Sequence, residues 1–256
     1  MDDFSHRSGA ALVTGGSGGI GAAICQMLAE RGSDVAFTYL HNEGAASAVL
    51  AAIDAAGSRG LAVAVDLGDD DAVRELVAEV VAEFGGLHTV VHAAGPHVPQ
   101  RHLSRVAPAE MADHLDAEVG ACFRLVHHCL AHLRAAGGSL VAVTTAATSR
   151  FPVRDGLSSV PKGAVESLVR AIAAEEGRFG VRANCVGPGM LTDGMARRLI
   201  ESGDLDEAAL AATRSNIALH RFGDAVDVAE AVCFLASDRA DFVTGQKLDV
   251  DGGYGV

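Results

Sequence analysis

The chain has 256 residues, 49% of them hydrophobic and 21% charged, so it can bury a core and does not have a disordered composition. Its 33 acidic and 20 basic side chains give a net charge of −13, which repels phosphate backbones and anionic membranes and argues against either as a partner. Trp is absent, and Tyr39 and Tyr254 are the only tyrosines.

Residues 1–7 are polar and acidic, unlike a secretory signal. No apolar run approaches the roughly 20 residues that span a bilayer. Cys25, Cys122, Cys129, Cys185 and Cys233 are scattered, with no Cys-x-x-Cys. They read as buried free thiols, which predicts a cytoplasmic protein with neither disulfides nor a metal site. In chain order, a strand over 10–14 enters a glycine-rich turn. A helix over 20–31 follows, stopping at Gly32, and then a strand over 34–39 and a helix over 43–56. Residues 61–65 read as a strand ending at Asp66, 70–84 as an amphipathic helix, and 87–92 as a strand. A loop with Pro96 and Pro99 leads to one long helix over 110–135. A strand over 139–144, a helix over 159–179 and a strand over 181–186 come next. A helix near 226–236 and a strand near 247–250 close the chain. Strands apolar throughout and separated by helices predict one α/β domain over 1–256, a doubly wound parallel sheet of about seven strands covered on both faces. The segment 190–220 breaks the rhythm and is the expected substrate lid.

The turn Thr14-Gly15-Gly16-Ser17-Gly18-Gly19-Ile20-Gly21 joins the first strand to the first helix. Its glycines permit a sharp turn and close approach of backbone to a pyrophosphate, and the helix N-terminus offers free N–H groups to the phosphates. Here the sequence resembles the short-chain dehydrogenase/reductase family, whose Thr-Gly-x-x-x-Gly-x-Gly is matched by Thr14, Gly15, Gly19 and Gly21. Further matches are collinear: Asp66, His92-Ala93-Ala94-Gly95, Asn184 with Pro188-Gly189, and the tail Phe242 to Tyr254. The resemblance implies a Rossmann-like fold, a nicotinamide dinucleotide and a small-molecule substrate. It also implies assembly as a homodimer or homotetramer through the long helices and the last strand. The expected cofactor contacts are Thr14, Gly15, Ser17, Gly19, Ile20, Gly21, His41, Asn42, Asp66, Leu67, Ala93, Ala94, Gly95, Lys162, Pro188, Gly189 and Thr192. The second strand ends in Thr38-Tyr39-Leu40-His41-Asn42, with no carboxylate to accept the ribose 2′-hydroxyl of NAD, which favours NADP(H) over NAD(H).

The family's catalytic pattern, as the resemblance supplies it, is Asn, Ser and Tyr-x-x-x-Lys. Lys162 matches the lysine, Ser158 stands at the tyrosine, Thr145 at the serine and Glu118 at the asparagine. With Tyr39 and Tyr254 as the only tyrosines, no realignment restores the missing one. A serine hydroxyl is shorter and a far weaker acid than a phenol, which titrates near pH 10. Glu118 is therefore the candidate proton donor, with His97 a second, and Asp155 and Arg154 lie in the loop before Ser158. Hydride addition to a conjugated C=C leaves an enolate that Thr145 or backbone donors can stabilise, so loss of tyrosine hurts it less than ketone reduction. The expected activity is thus reduction of an enoyl-type or oxo acyl, polyketide-like substrate with a degenerate catalytic set. The alternatives are a ketoreductase with another proton donor, a catalytically silent dinucleotide-binding protein or partner subunit, and a non-redox enzyme reusing the fold.

Overall fold

The computed structural model describes residues 2–192, 211 and 214–256. Seven parallel strands lie in the order β3-β2-β1-β4-β5-β6-β7: β1 Ala10–Thr14, β2 Asp34–Tyr39, β3 Gly60–Ala64, β4 Leu87–His92, β5 Ser139–Val143, β6 Arg182–Pro188 and β7 Lys247–Val250. The central strands β1, β4 and β5 are buried along their whole length, whereas the edge strands β3 and β7 are half-exposed. Alternate residues of each strand feed two cores. Val13, Phe37, Val91 and Val141 pack under helices α1 (Gly19–Glu30), α2 (Glu43–Ala55) and α7 (Ala225–Ala236). Leu12, Ala36, Val90 and Leu140 pack under α3 (Asp70–Phe84), α5 (Ala121–Ala136) and α6 (Gly156–Glu176). Helices on both faces are what apolar parallel strands require. The five cysteines are free and buried.

Two expectations change. The single helix over 110–135 is instead α4 (Pro108–Leu115), one turn of π-helix over Asp116–Gly120, and α5. The wider turn holds one extra residue, a feature common at functional sites and invisible to a 3.6-residue period. It is braced by the Arg124 guanidinium on Asp116 at 2.8 Å, packed over Gly120, where a Cβ would meet Asp116 Oδ1 at 2.2 Å. Second, α6 starts at Gly156, three residues before the expected 159, and ends at Glu176. Pro161 therefore sits inside the helix, beyond the first turn, and supplies no N–H to the ladder there. The lid expected over 190–220 lies outside the described residues, except for 190–192, 211 and 214–220.

Candidate active site

Because all strands are parallel, the loops after β1, β2, β3, β4 and β6 gather along one edge of the sheet. The crevice opens between β1 and β4, where the strand order reverses. Gly15 has φ +69°, and a Cβ there would stand 2.9 Å from Ala94 Cα. A Cβ on Gly21 would stand 2.2 Å from the Gly15 carbonyl oxygen, so only glycine lets α1 fold back onto the turn. The N-terminus of α1 has no side-chain cap and no acidic residue in its first turn, which leaves its N–H groups and positive dipole end for an anion.

Thr14 sits below this cradle and not in it. It is fully buried, and its hydroxyl accepts from Ala93 N at 3.2 Å and Ala94 N at 3.3 Å. The hydroxyl proton then goes to His92 Nδ1, 3.0 Å away, which makes His92 the Nε2–H tautomer. Burial, with the Lys162 ammonium adding to it, holds the His92 pKa down to about 3. Its Nε2–H is buried without a partner among the described residues. A glycine turn that admits no Cβ, an uncapped helix N-terminus and a buried donor without a protein partner among the described residues together fit a bound dinucleotide.

Farther along the edge, His41 and Asn42 are exposed, and Asn42 Oδ1 accepts from Ala45 N at 3.0 Å as the cap of α2. Asp66 is exposed and accepts from Gly68 N at 2.8 Å, with Leu67 half-buried beside it. Pro188 ends β6, Gly189 N donates to Val250 O at 2.9 Å, and Thr192 Oγ1 donates to Asp224 Oδ1 at 2.5 Å. Asn184, expected in the site framework, instead ties β6 to the tail. Its Nδ2 donates to Val243 O at 2.9 Å, and its Oδ1 accepts from Gln246 N at 3.0 Å.

The π-turn and α6 carry two of the residues expected for catalysis, Glu118 and Lys162. Glu118 is 2% exposed, and Lys162 Nζ stands 3.1 Å from both of its carboxylate oxygens. Gly95 closes over the pair: a Cβ there would meet Glu118 Oε1 at 2.7 Å and Lys162 Nζ at 3.6 Å. One turn on, burial pushes the Cys122 thiol up to about 12, and the Glu118 carboxylate adds to the rise. Ser158 precedes Lys162 by one turn and is half-buried. Thr145 follows β5 and accepts from Ala147 N at 3.1 Å, which leaves its own proton to donate. His97 is exposed on the loop after β4, and Arg154 Nε donates to His102 Nε2 at 3.4 Å. Tyr254 packs under the Arg150 guanidinium, 4.8 Å from its ring centre. Sequence reasoning had no signal for Gln100, whose amide Nε2 donates to Asp155 Oδ1 at 2.9 Å and ties the loop after β4 to the start of α6.

The family model described as enoyl-(acyl carrier protein) reductase matches residues 15–255. The chain belongs to the short-chain dehydrogenase/reductase family. Among curated members, versicolorin reductase 1 of Aspergillus parasiticus is 35% identical over 99% of both chains. The 3-oxoacyl-(acyl-carrier-protein) reductase of Staphylococcus epidermidis is 33% identical over 95% of this chain and 97% of its own. Among solved structures, a short-chain dehydrogenase from Burkholderia cenocepacia in complex with NADP superposes with a TM-score of 0.89 and 33% identity, covering 99% of this chain and 100% of the other. One from Mycobacterium ulcerans reaches a TM-score of 0.91 at 28% identity, over 98% and 91% of the two chains. This short-chain dehydrogenase/reductase thus has the expected α/β sheet and a nicotinamide dinucleotide cradle. Among its described residues, no helix is long and apolar enough to cross a membrane.

Proposed function

We propose that this chain is an NADP(H)-dependent reductase that works without a catalytic tyrosine, with Lys162 and Glu118 as its fixed charged pair. The proposed substrate is a small unsaturated enoyl-type or oxo acyl, polyketide-like molecule. The observation that carries this reading is the Lys162–Glu118 pair, bidentate at 3.1 Å and closed over by Gly95 beside the cradle. A lysine held only by the family's tyrosine couple would lose its order with Ser158 in that place. Here a carboxylate holds it instead, ready for the ribose hydroxyls of the cofactor. The nicotinamide, when bound, supplies the hydride. Lys162 binds the ribose, Thr145 donates to the substrate oxygen, and Ser158 leaves room at the mouth where a phenol would stand.

The names of the relatives support the reaction class. They include a versicolorin reductase and a 3-oxoacyl-(acyl-carrier-protein) reductase, within a model named for enoyl reduction. The NADP complex of the Burkholderia neighbour and the absence of a carboxylate in Tyr39-Leu40-His41-Asn42 support NADP(H), with His41 and the Asn42 amide nearest the 2′-phosphate. Glu118 was expected as the acid from its position. Both of its oxygens are engaged by the Lys162 ammonium, which supports a role in holding that lysine. Homodimers or homotetramers in the cytoplasm remain the expectation. Phe123 on α5 and Val160 on α6 are both about half-exposed, which agrees with a further surface to cover.

A panel measurement tests this. NADPH binding is followed by fluorescence, and its oxidation is followed with enoyl thioesters and β-ketoacyl thioesters. Turnover of either class supports the reading. Binding with no turnover of either supports the silent dinucleotide-binding protein that the Ser158 substitution favours.

A further inference from the structure

Asp155 stands at the N-cap of α6, where an aspartate side chain ordinarily accepts from the free N–H groups of the first turn. It does not do so here. The capping is left to its backbone carbonyl, which accepts from Ser158 N at 3.0 Å, Ser159 N at 2.9 Å and Ser159 Oγ at 3.0 Å. The carboxyl instead meets Gln100, whose Nε2 donates to Oδ1 at 2.9 Å. A forgone cap is a departure from local preference of the kind that marks functional positions. The loop carrying Gln100 leaves β4 at His92 and passes through Gly95, which lies against Lys162 and Glu118. Positions 155, 158 and 162 have the i, i+3, i+7 spacing that puts them on one face of α6. Ser158, between the other two, is too short to fill the face.

We propose that Asp155 is the substrate-facing acid of this enzyme, delivering the proton that a tyrosine at position 158 would have delivered. This rests on the reductase reading. Addition of hydride to the substrate carbonyl carbon moves the C=O pair onto oxygen. For a conjugated C=C, addition at the β-carbon moves electrons through to the same oxygen. The O–H bond of Asp155 breaks, its proton goes to that oxygen, and the carboxylate left behind takes a proton back from solvent. In the enoyl case the resulting enol returns to the carbonyl form as water protonates the carbon and the enol O–H proton is released to water. The charges around Asp155 agree with this use. Burial of the carboxyl raises its pKa above the ordinary aspartate range, and the Gln100 hydrogen bond and the Lys162 ammonium oppose the rise without cancelling it. The nearby cations Arg101 and Arg154 are engaged with Glu110 and His102, and His97 is exposed.

The test compares wild type with Asp155→Asn, which keeps the Gln100 bridge and removes the acid, and with Asp155→Glu. Asp155→Asn lowers kcat about 100-fold, the usual lower bound for a general acid, with NADPH affinity unchanged. In wild type kcat falls as pH rises through the Asp155 titration. That descending limb is lost in Asp155→Asn and restored, with part of the rate, in Asp155→Glu. In the cofactor-free protein, ¹³C NMR of the side-chain carboxyls finds one aspartate titrating above the ordinary range, and Asp155→Asn removes it. The proposal is overturned if Asp155→Asn keeps kcat within threefold, if its descending limb persists, or if no raised resonance disappears. A wild type that binds NADPH and reduces nothing overturns the reductase reading, and this proposal with it. An Asp155→Asn variant matching an active wild type overturns this proposal alone.

Discussion

Replacing Glu118 by Gln is the sharpest perturbation of the site. Two unit charges 3.1 Å apart attract by about 5 kcal/mol at an effective dielectric of 20. Desolvation of both groups offsets much of that, so the pair's net worth is far smaller than the attraction. Removing one partner of a fully buried pair costs about 3–5 kcal/mol, because the remaining charge is stranded. Lys162 retains 17% side-chain exposure against 3% for Glu118, so its ammonium recovers some hydration when the carboxylate goes. The amide of Gln also keeps one acceptor for Nζ. Both corrections reduce the cost to about 1–2 kcal/mol, which in a chain of this size lowers Tm by about 2–8 °C. A lysine freed from its carboxylate also loses its fixed position toward the ribose, and NADPH Kd rises about tenfold, or about 1.4 kcal/mol. Calorimetry and fluorescence titration read the two effects. The double variant Glu118→Gln/Lys162→Met should be less destabilised than the sum of the single variants, because it leaves no stranded charge. Wild-type Tm and wild-type NADPH affinity in Glu118→Gln together would refute the assignment of Glu118 as the holder of Lys162. A larger loss in the double variant than in the sum would refute the electrostatic account.

Other consequences follow from the same geometry. Gly21→Ala puts a Cβ 2.2 Å from the Gly15 carbonyl. It should cost about 1–3 kcal/mol of stability by overpacking and weaken NADPH binding more than tenfold, as read by denaturation and titration. Burial lowers the pKa of His92 to about 3 and of His88 to about 4, both below the ordinary histidine value of 6.5. The unfolded chain therefore binds more protons than the native one between about pH 6.5 and 4. Each histidine's contribution is complete above pH 6.5 and is lost at about 1.4 kcal/mol per pH unit as pH falls. Urea midpoints at pH 7.5 and 5 should separate accordingly, and His88→Gln should narrow the gap. Ser158→Tyr should create or raise ketone reduction by tenfold or more on the β-ketoacyl panel, since Lys162 is already ordered two turns into α6. Ser158→Ala should leave enoyl turnover within threefold.

The strand–helix alternation, the glycine turn between β1 and α1, and the family pattern from Thr14 to the tail were all legible in the sequence. Each rests on local constraints: apolar strands need cover on both faces, and a turn that bends under a phosphate excludes Cβ atoms. That tyrosine occurs only at 39 and 254 was equally legible, because a count needs no alignment. The partners of the remaining groups were not. A regular helical period gave no hint of the π-turn at Asp116–Gly120, which carries Glu118 with its carboxylate on Lys162, 44 positions along the chain. The hydroxyl of Thr14 was expected to be a cofactor contact, but the partners it finds come from the packing of the sheet, which brings β4 beside it so that its hydrogen bonds go to His92, Ala93 and Ala94. Asp155 read as a loop residue before Ser158, and only the fold put it at the N-cap of α6 with Gln100 within reach of its carboxyl. Local backbone sterics and periodicity are written along the chain. Which charged or hydroxyl group meets which across the crevice depends on how distant strands and loops pack, and that pairing exists only in the folded molecule.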